Sequence, residues 1–202
     1  MECFKCGDYH LLITTLNSSN DRKRELLCDY DAVYGDTVSS GLSELSIQLL
    51  YNTHVIKRVR IIPNGGGCNF IASSAVVVHD KITLCYGDSV FCLSIPELSL
   101  LWKTKADESY CFEIYSVQSY YFIHGELEIS CLNGNGDSIW QQSGADIFIT
   151  PDGTGNFFVT ENYIQVSDWN GNEYRFDFKG KSITRYPFMR HNHSNLDYMT
   201  PK

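Results

Sequence analysis

Apolar and polar residues alternate strictly from Glu44 to Leu49, and the same two-residue period returns at 127–132 and 163–166. A period of two sends successive side chains to opposite faces of an extended chain, so each stretch reads as a half-buried strand. The 3.6-residue spacing of an amphipathic helix is missing. Further apolar runs, at 10–15, 25–28 and 55–61, complete a first group of strands with a turn at Asn52-Thr53.

Beyond Pro63-Asn64-Gly65-Gly66-Gly67, which reads as a flexible connection, three stretches resemble one another. Ile82–Asp88, Val90–Leu93 and Leu100–Lys103 form the first. Tyr120–Gly125, Leu127–Leu132 and Ser138–Gln141 form the second, and Asn156–Thr160, Tyr163–Val166 and Glu173–Phe176 the third. Trp102 and Trp140 stand 38 residues apart, Tyr174 stands 34 beyond Trp140 and replaces the tryptophan in the third stretch, and an Ala-Asp pair (106–107, 145–146) follows each tryptophan. A recurrence of that length holding several strands and turns is what a propeller blade requires. Asn133-Gly134 and Asn170-Gly171 supply turn residues that tolerate positive φ.

The expected fold is therefore all-β, a propeller-like stack of about four antiparallel four-stranded units. It divides into a divergent first unit at 1–62, clearer repeats at 69–107, 108–146 and 147–180, and a polar, basic tail from 181. Val90–Leu93 with Leu101-Trp102-Lys103, and Leu132–Trp140 with its Asn-Gly-Asn-Gly-Asp turn, resemble the repeat of pyrroloquinoline-quinone-type (PQQ-like) propellers over residues 69–180. The resemblance implies a scaffold only. Members with that repeat have more blades than this chain supplies, and no position matches their quinone or metal ligands, so no cofactor is expected.

Composition sharpens this picture. Thirteen Tyr, eleven Phe and three Trp favour strands. Net charge is −8, which disfavours general nucleic-acid binding and suits a basic protein partner. The N-terminus lacks the basic and apolar regions of a signal peptide, and no apolar run approaches the ~20 residues of a membrane span. The eight cysteines are then expected as free thiols in a cytoplasmic protein, with no membrane partner.

Individual motifs add little chemistry. Cys3-x-x-Cys6 lacks a second pair to complete a zinc site, with Cys28 and His10 at irregular spacing. Asp168–Glu173 faintly resembles a calcium loop, yet the closing Glu is missing at the required distance and a hairpin turn accounts for the same residues. Lys57, Arg58 and Arg60 read as guards of an outer strand. Neither HExxH nor GxSxG occurs, and no catalytic residue is assigned. The expected function is a non-catalytic protein-interaction module, on the pattern of a cytosolic inhibitor or immunity protein, with Asp107, Glu108, Asp137 and Asp146 clustered as its acidic rim. Two rivals stand beside it: a hydrolase or carbohydrate-active enzyme using Asp107, Glu126 or Glu128, and a β scaffold that closes by oligomerisation.

Overall fold

Strands form where Val, Ile, Leu, Phe and Tyr fall at alternate positions, and the chain reverses where a residue accepts positive φ. The computed structural model describes residues 1–17, 29–35, 43–64, 69–151 and 157–183. Among these, sixteen strands and a short 3-10 turn at Ala72–Ser74 occur without any α-helix.

The first sheet holds β1 (Glu2–Cys6), β2 (Tyr9–Leu16), β3 (Ala32–Gly35), β4 (Glu44–Tyr51) and β5 (His54–Ile62) in the order β1-β2-β4-β5-β3. β2, β4 and β5 are the strands expected there, and their hairpin turns on Asn52 and Thr53, with φ of 47° and 69°. The strand expected at 25–28 and the Gly65–Gly67 connection lie outside the described residues. β5 pairs antiparallel with β4 and parallel with β3. It is an inner strand, so Lys57, Arg58 and Arg60 guard no edge.

Three meanders follow. β6 (Ala75–Val78), β7 (Lys81–Tyr86), β8 (Ser89–Ser94) and β9 (Leu100–Lys105) make the second sheet. β10 (Cys111–Val117), β11 (Tyr120–Gly125), β12 (Glu128–Asn133) and β13 (Ser138–Ser143) make the third. β14 (Phe158–Val159), β15 (Ile164–Ser167) and β16 (Glu173–Phe176) make the fourth. The architecture is the all-β, propeller-like stack the pattern called for. Its sheets hold five, four, four and three strands rather than a uniform four.

Three hydrophobic cores join the four layers. Leu11, Ile47, Leu49 and Ile61 meet Ile82, Leu84 and Phe91 between the first and second sheets. Cys85, Val90, Cys111, Ile114 and Ile123 fill the second junction, and Phe122, Phe148, Phe157, Ile164 and Phe176 the third. No core joins the fourth sheet to the first among the described residues, so the stack is open.

The two tryptophans occupy equivalent places. Trp102 pairs with Cys92 beside a bulge at Cys92/Leu93, and Trp140 pairs with Cys131 beside a bulge at Cys131/Leu132. Each ring lies on a turn glycine of the next sheet: a Cβ built on Gly136 would fall 2.5 Å from Trp102, and one on Gly180 2.6 Å from Trp140. Both glycines have positive φ, 85° and 79°. The turns match as well. Asn133 Oδ1 accepts from the amides of Asn135 and Asp137, and Asp177 Oδ1 from those of Lys179 and Lys181.

This equivalence corrects two readings. The turn at 133–137 takes its positive φ from Gly136, not Gly134. Tyr174 sits on β16 opposite Val166, one strand before the position that Trp140 fills, so it does not replace a tryptophan. Ser182 and Ile183 still pair with Phe176 and Arg175, which carries the fourth sheet past 180. The rest of the expected tail, from 184, lies outside the described residues.

Candidate functional site

The turns of the three meanders fall at two ends of the stack, and the ends differ. The upper end carries the β7–β8, β11–β12 and β15–β16 turns together with the connections that lead from one sheet to the next. Main-chain hydrogen bonds lace them together. Ala106 N reaches Asp88 O (2.9 Å), Glu126 N reaches Tyr110 O (2.8 Å), Phe148 N reaches Glu126 O (2.7 Å) and Trp169 N reaches Ile147 O (2.8 Å). Rigid strands thus hold a row of loops in fixed order, the arrangement on which binding residues are usually placed.

The four expected rim residues do not share one role. Asp107 is 1% exposed, and its carboxylate accepts four backbone N–H groups: Ser109 and Tyr110 on one oxygen, Leu127 and Glu128 on the other. Burial lifts its pKa above the ordinary aspartate value against the pull of those donors. It clamps two sheets together and is not available as rim. Glu108 is exposed beside Lys105 at 2.6 Å. Asp146 is half-buried and accepts from the Asn170 amide at 2.6 Å and from its neighbour's N–H. Asp137 lies in the β12–β13 turn, at the opposite end of β13 from Asp146, so it leaves the group.

Other carboxylates take their places. Glu126 accepts from Ser109 Oγ and Glu128 from Gln141 Nε2 (2.8 Å). Burial, then the charges of Asp107 and Glu108, raise the Glu128 pKa. Two apolar side chains stand exposed among these groups, Leu127 at 38% and Trp169 at 47%. The turn that carries Trp169 is tied by hydrogen bonds to one carboxylate. Asp168, fully buried, accepts from the amides of Asn170 and Asn172, from Asn172 Nδ2 and from the Tyr174 hydroxyl. With its oxygens so occupied, that turn is a hairpin and not a cation loop.

Charge is segregated along the chain in a way the total conceals. From 106 to 174 there are eleven Asp and Glu and no Lys or Arg. The sixteen Lys and Arg elsewhere exceed the remaining thirteen acids by three. The whole negative excess therefore belongs to the third sheet, its connections and the greater part of the fourth unit.

Chemistry that the sequence left open has a definite geometry. Ser73 Oγ donates to Glu113 Oε1 at 2.8 Å, and Glu113 Oε2 lies 3.5 Å from His124 Nδ1. The carboxylate stands between serine and histidine, whereas a nucleophile needs the imidazole next to its hydroxyl. Cys3 and Cys6 sit three apart on a strand, which sends their side chains to opposite faces. The six described cysteines are free, and burial pushes the Cys131 thiol up to about 12. At the lower end a cleft of about 240 Å³ lies between the β6–β7 and β10–β11 turns, lined by His79, Asp80, Lys81, Gln118 and Tyr121 among others.

No family model and no curated protein matches the chain. Solved structures do. BamB from Moraxella catarrhalis superposes with a TM-score of 0.50 and 12% identity, over 76% of this chain and 49% of its own. The computationally designed Ika8 protein gives 0.51 and 10%, over 90% and 59%. A europium-containing methanol dehydrogenase gives 0.48 and 15%, over 61% and 25%. The chain thus spans about half the length of BamB. At these identities the first two likenesses establish a generic propeller-like fold and no particular family. No helix among the described residues is long and apolar enough to cross a membrane.

Proposed function

We propose that this chain is a non-catalytic protein-binding module, built on PQQ-like repeats, whose upper end docks a basic partner protein. The observation that carries this reading is the segregation of charge: a 106–174 stretch without one Lys or Arg, with Glu108, Glu126, Glu128 and Asp146 around exposed Leu127 and Trp169. An apolar centre inside a charged rim is the usual anatomy of an interface, and a one-signed rim steers an opposite partner. Inhibition of that partner, in the manner of an immunity protein, is the form of the function we favour.

The hydrolase alternative has less support. Asp107, Glu126 and Glu128 each accept hydrogen bonds from groups of the frame: backbone amides, the Ser109 hydroxyl and the Gln141 amide. Closure by a second copy is also less favoured, because the outward face of the fourth sheet sets exposed Phe158 among polar Gln165, Ser167, Glu173 and Arg175 and offers no continuous apolar layer. The test is kinetic. Association with a basic partner should slow roughly tenfold or more when Glu108→Lys and Asp146→Lys are combined at low salt, and the difference should close at high salt. An unchanged rate at low salt counts against the reading.

A further inference from the structure

Within the 106–174 stretch, His124 is the only side chain that can carry a positive charge. It lies on β11, 8% exposed, with its ring stacked on Phe157 (centroids 5.0 Å apart, 9° between planes) and Phe112 edge-on at 5.5 Å. Nε2 is 2.8 Å from the carbonyl oxygen of Phe148. A carbonyl can only accept, so Nε2 holds the hydrogen and the neutral ring has a bare Nδ1. That Nδ1 is buried without a hydrogen bond among the described residues, and it faces Glu113 Oε2 at 3.5 Å. Two acceptors are thus set against each other. With a proton on Nδ1, His124, followed by the Ser73 hydroxyl, holds the Glu113 carboxyl below the usual glutamate range, so the carboxylate stays ionised opposite the charged ring.

The ring fastens the loop from which the upper end is built. Phe148, whose carbonyl it holds, donates its own N–H to Glu126 O. Ile147 O receives the Trp169 N–H, and Asp146 receives the Asn170 amide. The segment 146–148 therefore lies between His124 on one side and the Trp169 turn on the other.

We propose that His124 is a positioning residue that holds the 146–148 segment, and with it the Trp169 turn, more tightly when a solvent proton occupies Nδ1. The proton converts the acceptor–acceptor contact into an ion pair with Glu113 and makes the bond to Phe148 O charge-assisted as well. No other bond is made or broken. β10 sets Glu113 opposite His124 and the Tyr115 phenol two residues on along the same face, and no Lys or Arg between 106 and 174 competes for the carboxylate. The role as a regulator of docking rests on the proposed function above, but the latch itself is tested without a partner.

Imidazole ¹⁵N spectra of the wild-type protein, followed from alkaline to acid pH, should show hydrogen on Nε2 and a bare Nδ1 in the neutral ring, and hydrogen on both nitrogens once the ring is charged. Over the same interval the amide exchange of Phe148 and Trp169, corrected for intrinsic rates and compared with β7, should slow roughly tenfold, and Glu113→Gln should remove that response. A hydrogen on Nδ1 in the neutral ring overturns the proposal. So does exchange in the wild type that ignores pH, or an equal response in Glu113→Gln.

Discussion

The junction between the second and third sheets and the junction between the third and fourth are built from the same repeat, yet they are held by different forces. At the first, Asp107 is buried and its carboxylate ties Ser109 and Tyr110 to Leu127 and Glu128, over a core of Cys85, Val90, Cys111 and Ile123. At the second, the corresponding Asp146 remains partly exposed. Aromatic rings take over: Phe122, Phe148, Phe157, Phe176, Trp140, Tyr174 and Phe178 pack together, and Trp140 Nε1 donates to Phe178 O at 3.0 Å. Trp102 Nε1, in the equivalent place, has no acceptor among the described residues. Where stacking supplies cohesion, the carboxylate is released from the frame. That release is what lets Asp146 join the charged rim.

The contrast can be broken most severely at Asp107. Asp107→Ala leaves four partly buried N–H groups without their shared acceptor and should cost about 3 kcal/mol, measured by urea unfolding, whereas Asp146→Ala should stay within about 0.5 kcal/mol. Equal losses at the two sites would erase the distinction. The tryptophans come next. Trp140→Ala should destabilise by about 3 kcal/mol and Trp102→Ala by about 1 kcal/mol less, because only the former loses a hydrogen bond as well as its packing. The reverse order would show that the first junction depends on its tryptophan more than its geometry suggests.

A smaller effect separates the junctions by pH. Glu113 is depressed in the folded state, first by His124 and then by Ser73, so its contribution is present above the ordinary value of 4.5 and is lost as pH falls through its lower folded value. Melting of wild type and Glu113→Gln should therefore differ by about 1–2 kcal/mol in mild acid, where Nδ1 is protonated and the carboxylate is still ionised, and converge in strong acid. A gap that persists below about pH 3 would mean the glutamate acts through packing and not through its charge.

Alternation at 44–49 and the recurrence of Trp102 and Trp140 made the strands and the two docked rings legible before any coordinates. The error at Tyr174 has a physical source. The Asp168–Asn172 turn resembles the one at 133–137 in sequence, yet it joins β15 to β16, and the true counterpart is Asp177–Lys181. A turn can be read locally, whereas its place in a blade depends on which strands pair. Asp107 was misplaced because an acid after a strand is ordinarily solvated. Its burial depends on donors twenty residues away, and only the Asp-x-Ser spacing hints at a local turn. Lys57, Arg58 and Arg60 misled for a related reason, since the parallel pairing of β3 that encloses β5 leaves no mark in either strand alone. The charge segregation, by contrast, was legible in the sequence and hidden by the net value.

The central claim is that the upper end, and not negative charge in general, docks the partner. Charge reversal at each end puts it to the test: Glu108→Lys with Asp146→Lys at the upper end, against Asp137→Lys with Asp80→Lys at the lower end, each changing the net charge equally. All three proteins, the wild type included, are immobilised and their association with the same basic partner is followed at low salt. The account predicts that the upper pair slows association roughly tenfold or more while the lower pair leaves it within about twofold of wild type. Equal slowing by both pairs, or by neither, would contradict it.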